Sequence, residues 1–158
     1  MSRVFITGSS DGLGLMAARL LAAEGHSVTV HARDQRRAAD TRAALPQAAG
    51  VVIGDLSSVA GMRQVAEQAN SAQANSDGRF DAVIHNAGIG PREPRRAETQ
   101  DGLAQLFAVN VLAPYLLTTL IERPARLVYL SSGLHRGGHA DLADPQWTSR
   151  PWDGAQAC

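Results

Sequence analysis

Thr7-Gly8-Ser9-Ser10-Asp11-Gly12-Leu13-Gly14 stands directly behind the apolar run Val4-Phe5-Ile6 and directly ahead of an amphipathic stretch. Strand, glycine turn and helix in that order make a phosphate cradle. Gly8 permits a tight turn, Gly12 lets a pyrophosphate approach the backbone, and Gly14 lets the helix pack close to the sheet. The helix that follows offers backbone N–H groups and a positive dipole end to an anion.

Outward from this stretch, short Val/Ile-rich runs alternate with helical patterns. Strands are predicted over Val4–Ile6, Ser27–His31, Gly50–Ile53, Ala82–His85 and Arg126–Leu130. Their weak alternation suits strands covered on both faces of a parallel sheet. Helices are predicted from Leu13 to Glu24, from Asp34 to Ala44 and from Ser58 to Asn70. The first places Leu13, Met16, Ala17, Leu20 and Leu21 on one face and ends at Gly25. The second opens at the capping residue Asp34 and stops before Pro46. The third carries Val59, Met62, Val65, Ala66 and Ala69 at helical spacing. Thr99 opens a further helical stretch to about Leu120, with Pro114 as a kink or junction. The segment from Asn70 to Arg79 reads as a polar surface loop. Residues 131–158 are rich in Gly, Pro and Trp without periodicity, which suits an active-site loop or an interrupted chain. The series is βαβ and the sheet parallel.

Composition narrows the function classes. The chain has 158 residues, 44% hydrophobic, and a formal net charge of zero. One domain is expected, with a sizeable core. Every one of the 15 basic residues is Arg, scattered, so no basic stripe points to nucleic acid. Arg36-Arg37 and Arg95-Arg96 read as solvated pairs. The single Cys158 excludes an internal disulfide and a cysteine-rich metal site. His135 and His139 flank Gly137-Gly138, which breaks any shared helical face and argues against metal. The most apolar run, Val109 to Ile121, is too short and polar to span a bilayer. Arg3-Val4-Phe5-Ile6 already reads as a strand, leaving no visible signal peptide. A soluble cytoplasmic protein is the expectation.

Later motifs follow in a telling order. Asp55-Leu56 follows the third strand. Asn86-Ala87-Gly88 follows the fourth. Asn110 sits in Val-Asn-Val, and Leu127-Val128-Tyr129-Leu130-Ser131-Ser132 is a strand ending in two serines. With the glycine turn, these motifs resemble the short-chain dehydrogenase/reductase family, and the segment after Ser132, with Trp152-Asp153-Gly154-Ala155-Gln156-Ala157, resembles its retinol-dehydrogenase-like branch. The resemblance implies a Rossmann-type doubly wound parallel sheet, here an NAD(P)-binding domain over 1–158 that reads as truncated after the fifth strand, with 131–158 an incomplete active-site segment. It implies cofactor binding by Gly8, Ser10, Gly12, Leu13, Gly14, Arg33, Asp55, Leu56, Asn86, Ala87 and Gly88, and catalytic roles for Asn110 and Ser132.

Charge argues for the cofactor. NAD-selective folds place an acid at the end of the second strand, where this chain has Ala32 and then Arg33, 19 positions after Gly14. A guanidinium holds a 2′-phosphate bidentately, so NADP is expected over NAD. Asp34 reads as a helix cap.

Catalysis in the family also uses a Tyr and a Lys, because a phenol near pKa 10 is a poor acid or base at neutral pH without a neighbouring cation. No Lys exists here, and neither Tyr115 nor Tyr129 is followed by one. Cys158 falls at or beside the family's Tyr position, 26 residues after Ser132. The expectation is an oxidoreductase by descent, acting on a small carbonyl or alcohol but incompetent in this form. The alternative is a non-catalytic dinucleotide-binding module. Self-association or a homo-oligomer is expected, because the fifth strand would be an apolar edge.

Overall fold

The structure is a computed structural model and describes residues 1–74, 78–90, 94–133, 136 and 142–157. His135, Gly137, Gly138, His139 and Cys158 lie outside them. Five strands, β1 (Arg3–Ile6), β2 (Ser27–Ala32), β3 (Gly50–Ile53), β4 (Ala82–His85) and β5 (Arg126–Tyr129), form one sheet in the order β3-β2-β1-β4-β5. All pairings are parallel, with Ile6 opposite Val30 and Ile84. Each strand lies within one residue of its sequence-predicted bounds.

The sheet is covered on both faces because β1 sends alternate side chains to opposite sides. Val4 and Ile6 join Val28, Val30, Ala18 and Leu45 under α1 (Gly12–Ala23) and α2 (Gln35–Ala44). Phe5 joins Val83, Phe80, Met62, Val65 and Leu117 under α3 (Val59–Ala74) and α5 (Ala113–Leu120). Asp34 caps α2 as its sequence implies, its Oδ1 accepting the Arg37 N–H at 2.8 Å. That bond holds the Asp34 carboxyl below the usual carboxylate range.

Four sequence expectations change. First, α1 does not bury the face of Leu13, Met16 and Leu20, which are 75%, 64% and 62% exposed. It turns Gly14 and Ala18 inward, because a side chain at Gly14 would overlap Gly8 and Asn86. Close approach to the sheet outweighs the apolar stripe. Second, no helix begins at Thr99. The Thr99 N–H and the Leu103 carbonyl close a turn, and helix starts only with α4 (Gln105–Phe107). Third, α3 runs a turn past Asn70, because Gln73 is buried against the Phe80 backbone. Fourth, residues 142–152 are an organised loop. The Asp144 carboxylate accepts both N–H and O–H from Thr148 and Ser149 at 2.8–2.9 Å, which holds its pKa far below the usual range. Trp147, at φ 53°, is buried beneath the Arg150 guanidinium. Gln146 Oε1 accepts the Ala104 N–H at 2.8 Å and fastens the loop to the start of α4.

Between α4 and α5 the helix takes a π-helical turn over Ala108–Leu112, immediately before Pro114. Such turns redirect side chains, and this one carries Asn110. A last short helix, α6, spans Gly154–Ala157. No described helix is long and apolar enough to cross a membrane.

A cleft at the strand ends

The cleft lies at the C-terminal ends of β1, β2, β3 and β4, where the strand order turns back between β1 and β4. Open α/β sheets bind ligands at such switch points. Its volume is about 420 Å³, and its lining includes Gly8, Ser10, Gly12, Leu13, Gly14, Arg33, Asp55, Leu56, Asn86, Ala87 and Gly88. All the cofactor-site residues expected from sequence therefore meet in one place.

The glycine turn is shaped by two positive φ values, 61° at Gly8 and 53° at Gly12. A β-carbon on Gly8 would meet the Ala87 backbone at 2.7 Å, whereas one on Gly12 would point into open space. Gly8 is therefore glycine for packing as well as backbone geometry. Gly12 is glycine for backbone geometry, with the room beside it left to a ligand. The first turn of α1 has no acidic residue and no side-chain cap, because Asp11 turns instead to Arg37 at 2.7 Å. Its leading N–H groups and dipole end face the cleft, the arrangement that suits a phosphate.

Hydrogen bonds lock the turn to its neighbours. Thr7 Oγ1 accepts the N–H of both Asn86 and Ala87 at 3.0 Å. The Asn86 amide donates back to the carbonyls of Thr7 and Gly8 at 3.0 and 2.9 Å. Ser9 Oγ, fully buried, donates to Ile6 and accepts the His31 N–H. The His31 ring stands between Gly8 and Gly54, 2.9 Å from each. Burial lowers its pKa, against smaller upward pulls from the Gly54 carbonyl and Asp55. Sequence reasoning missed His31 as a site residue, although its place one residue before Ala32, at the strand end, was a signal.

Charge gathers on one wall. Ala32 is fully buried and no acid follows β2 directly. Arg33 lines the cleft, 64% of its side chain exposed, with Nε donating to Asp34 at 3.3 Å. Arg37 lines it too, so the reading of Arg36-Arg37 as merely solvated is corrected. Arg96 is corrected likewise: it is 19% exposed and pairs with Glu98 and the Gln146 carbonyl.

Asn110 and Ser132 stand differently. Asn110 makes a two-point contact with Ile89, accepting its N–H at 2.9 Å and donating to its carbonyl at 3.0 Å. It braces the segment just beyond Asn86-Ala87-Gly88. Ser132 is exposed, three residues past β5, and is not among the cleft-lining residues. Tyr129 stacks on His85 at 4.9 Å and bonds Thr118 at 2.7 Å, while Tyr115 is exposed on α5. Burial lowers the His85 pKa to about 4. No metal-binding cluster exists among the described residues.

Known proteins share this chain path. The short chain dehydrogenase family profile matches residues 2–132. An uncharacterised oxidoreductase of Emericella nidulans is 51% identical over 144 residues, 90% of this chain and 54% of that protein. Human retinol dehydrogenase 13 is 30% identical over 164 residues, 95% of this chain and 47% of that protein. A crystal structure of an uncharacterised protein from Mycobacterium paratuberculosis superposes with a TM-score of 0.79 at 30% identity, covering 99% of this chain and 56% of that one. The chain spans about half the length of the curated relatives it matches. Over the residues that build the cleft, sequence and chain path agree, and this protein belongs to the short chain dehydrogenase family of oxidoreductases.

Proposed function

We propose that the cleft binds NADP(H), and that the chain is the cofactor-holding part of an oxidoreductase acting between nicotinamide and a small carbonyl or alcohol. The observation that carries the cofactor choice is the wall after β2. It presents Arg33 and Arg37 and has the fully buried Ala32 where an NAD-selective fold has an acid. The glycine turn and the α1 N-terminus would hold the diphosphate. Arg33, with Arg37, would hold the 2′-phosphate. Asp55 and Leu56 would flank the adenine, and Asn86, Ala87 and Gly88 the remaining nucleotide. Both arginines have acidic neighbours, Asp34 and Asp11. Exposed pairs of that kind are worth about 0–1 kcal/mol. A charge-assisted phosphate contact at about 1.5–3 kcal/mol outcompetes them.

The nicotinamide, once bound, supplies or accepts hydride. For proton movement the chain offers less. Ser132 would orient a substrate oxygen and Asn110 would brace the floor beside it. The sequence has no Lys to lower a phenol pKa, and Tyr129 is engaged with Thr118. These facts favour a second reading for the 158-residue chain by itself, as a dinucleotide-binding module without turnover.

Fluorescence titration with NADPH and NADH tests the cofactor choice. NADPH is expected to bind about tenfold or more tightly, and Arg33→Ala to collapse that ratio. Equal affinities in the unaltered chain would overturn it.

A further inference from the structure

The two rings of bonds around His31 define its protonation state. The Gly8 N–H can only donate, so the Nδ1 atom 2.9 Å away must be a bare acceptor. The Gly54 carbonyl can only accept, so the Nε2 atom 2.9 Å away must carry the hydrogen. The backbone of the same residue is tied to Ser9, which donates its N–H to the His31 carbonyl at 3.2 Å and accepts the His31 N–H on Oγ at 2.8 Å. The residue is 3% exposed, so water does not substitute for either partner. Gly8 is the first glycine of the phosphate turn, and Gly54 leads directly into Asp55 and Leu56 on the opposite wall.

We propose that His31 is a positioning residue, which couples the phosphate turn to the Asp55–Leu56 wall through its neutral Nε2–H form and uncouples them, by letting go of the turn, when it takes a second proton. The proposal rests on the dinucleotide reading of the cleft. Protonation would put a second N–H against the Gly8 N–H, donor against donor, and lose that bond outright. The charged groups that line the cleft with His31 are Asp55 after β3, Asp11 on the glycine turn, Arg33 beyond its own strand and Arg37 on α2, and Asp55 acts on the ring directly. Burial opposes the charge and Asp55 favours it, burial being the larger. The bridge therefore holds at neutral pH and opens only in acid. Neither of its ring bonds goes to Arg33 or Arg37. Its loss should weaken NADPH and NADH alike, whereas loss of Arg33 changes their ratio.

The test begins without ligand. Long-range ¹H–¹⁵N spectra of the imidazole are expected to show the Nε2–H tautomer at pH 7, with a strongly protected Gly8 amide. A ring in the Nδ1–H form, or one titrating as a solvated histidine, overturns the proposal. NADPH and NADH affinities are then measured from pH 8 to pH 5 in the unaltered chain, His31→Phe and His31→Asn. His31→Phe should lose on the order of tenfold in affinity for both nucleotides, the equivalent of one buried hydrogen bond. His31→Asn retains an acceptor at the Nδ1 position. It should bind within a few-fold of the unaltered chain and lose the acid decline. Should His31→Phe not fold, an acid decline that persists in His31→Asn overturns the proposal, as does unchanged affinity in a folded His31→Phe. Should the unaltered chain bind neither nucleotide, the cofactor reading fails separately. The coupling is then decided by whether His31→Asn shifts the Asp55 and Leu56 amides, with silence there overturning it.

Discussion

The glycine turn and the end of β5 are both loops at the same edge of one sheet, yet they are built in opposite ways. At the turn, Thr7, Ser9, His31 and Asn86 exchange buried and half-buried hydrogen bonds with backbone at the ends of β1, β2 and β4. At β5, Leu127, Tyr129 and Leu130 are 38%, 52% and 54% exposed, and Ser132 beyond them is exposed as well. The shape of the cleft is thus set by bonds among the residues at the ends of β1 to β4, braced by Asn110 and by the Arg37–Asp11 pair. The β5 end instead keeps its side chains largely at the surface, with Tyr129 held by His85 and Thr118.

The largest expected effect separates binding from turnover. The 158-residue chain should bind NADPH but show no saturable NADPH oxidation with a panel of aldehydes and ketones. Cys158→Tyr alone should not restore it. A missing positioned acid or base costs about 10²–10⁴-fold, and a misplaced nicotinamide would add to that. Saturable turnover that vanishes in Ser132→Ala would break the contrast, showing the β5 end to be catalytically complete.

Thr7→Val against Ser132→Ala probes the contrast as stability. The first preserves shape but leaves the Asn86 and Ala87 N–H groups without their acceptor. It should cost about 2–4 kcal/mol in urea unfolding, one to two kcal/mol or so for each orphaned donor. The second should stay within about 0.5 kcal/mol, as surface substitutions do. Equal costs would deny that the turn is the better-determined region.

Acidification acts between the two regions, at His85 on the last residue of β4. Its pKa is lowered to about 4 in the folded chain from an ordinary value of 6.5, by burial. The unfolded chain therefore binds the proton more readily. Stability is fully present above pH 6.5, falls as pH drops from there to about 4, and levels off below. The drop should be on the order of 1–3 kcal/mol. Its Nδ1 is buried without a hydrogen-bond partner among the described residues, so His85→Phe should flatten this slope at little cost at pH 7. A melting temperature of the unaltered chain that does not change between pH 7 and pH 4.5 would refute the assignment.

The smallest effect on stability should come from charging the exposed edge. The chain is expected to self-associate through β5, an apolar strand with an open edge among the described residues. Leu127→Lys with Leu130→Lys should shift it toward monomer in size-exclusion with light scattering, while unfolding free energy changes by about 0.5 kcal/mol. A monomer before substitution would show that the edge is already protected.

How much of this was legible in advance depended on how local the cause was. Strand positions, the αL glycines, the Asp34 cap and the order of motifs are decided within a few residues, and each was readable from the chain. The cleft membership of Gly8, Arg33, Asp55 and Asn86 was readable too, because parallel strands must deliver their C-terminal ends to one edge. The buried face of α1 was not. Its apolar stripe pointed to Leu13, Met16 and Leu20, but the short distance from helix to sheet at Gly14 decided the rotation, and that distance exists only after β1 and β4 have paired. The roles of Arg37, Arg96 and Gln146 were illegible for the same reason, since their partners lie across the fold. His31 shows the division most clearly. Sequence alone set an imidazole at a strand end. Only tertiary structure placed a donor on one side of it and an acceptor on the other, and so determined which nitrogen carries the proton.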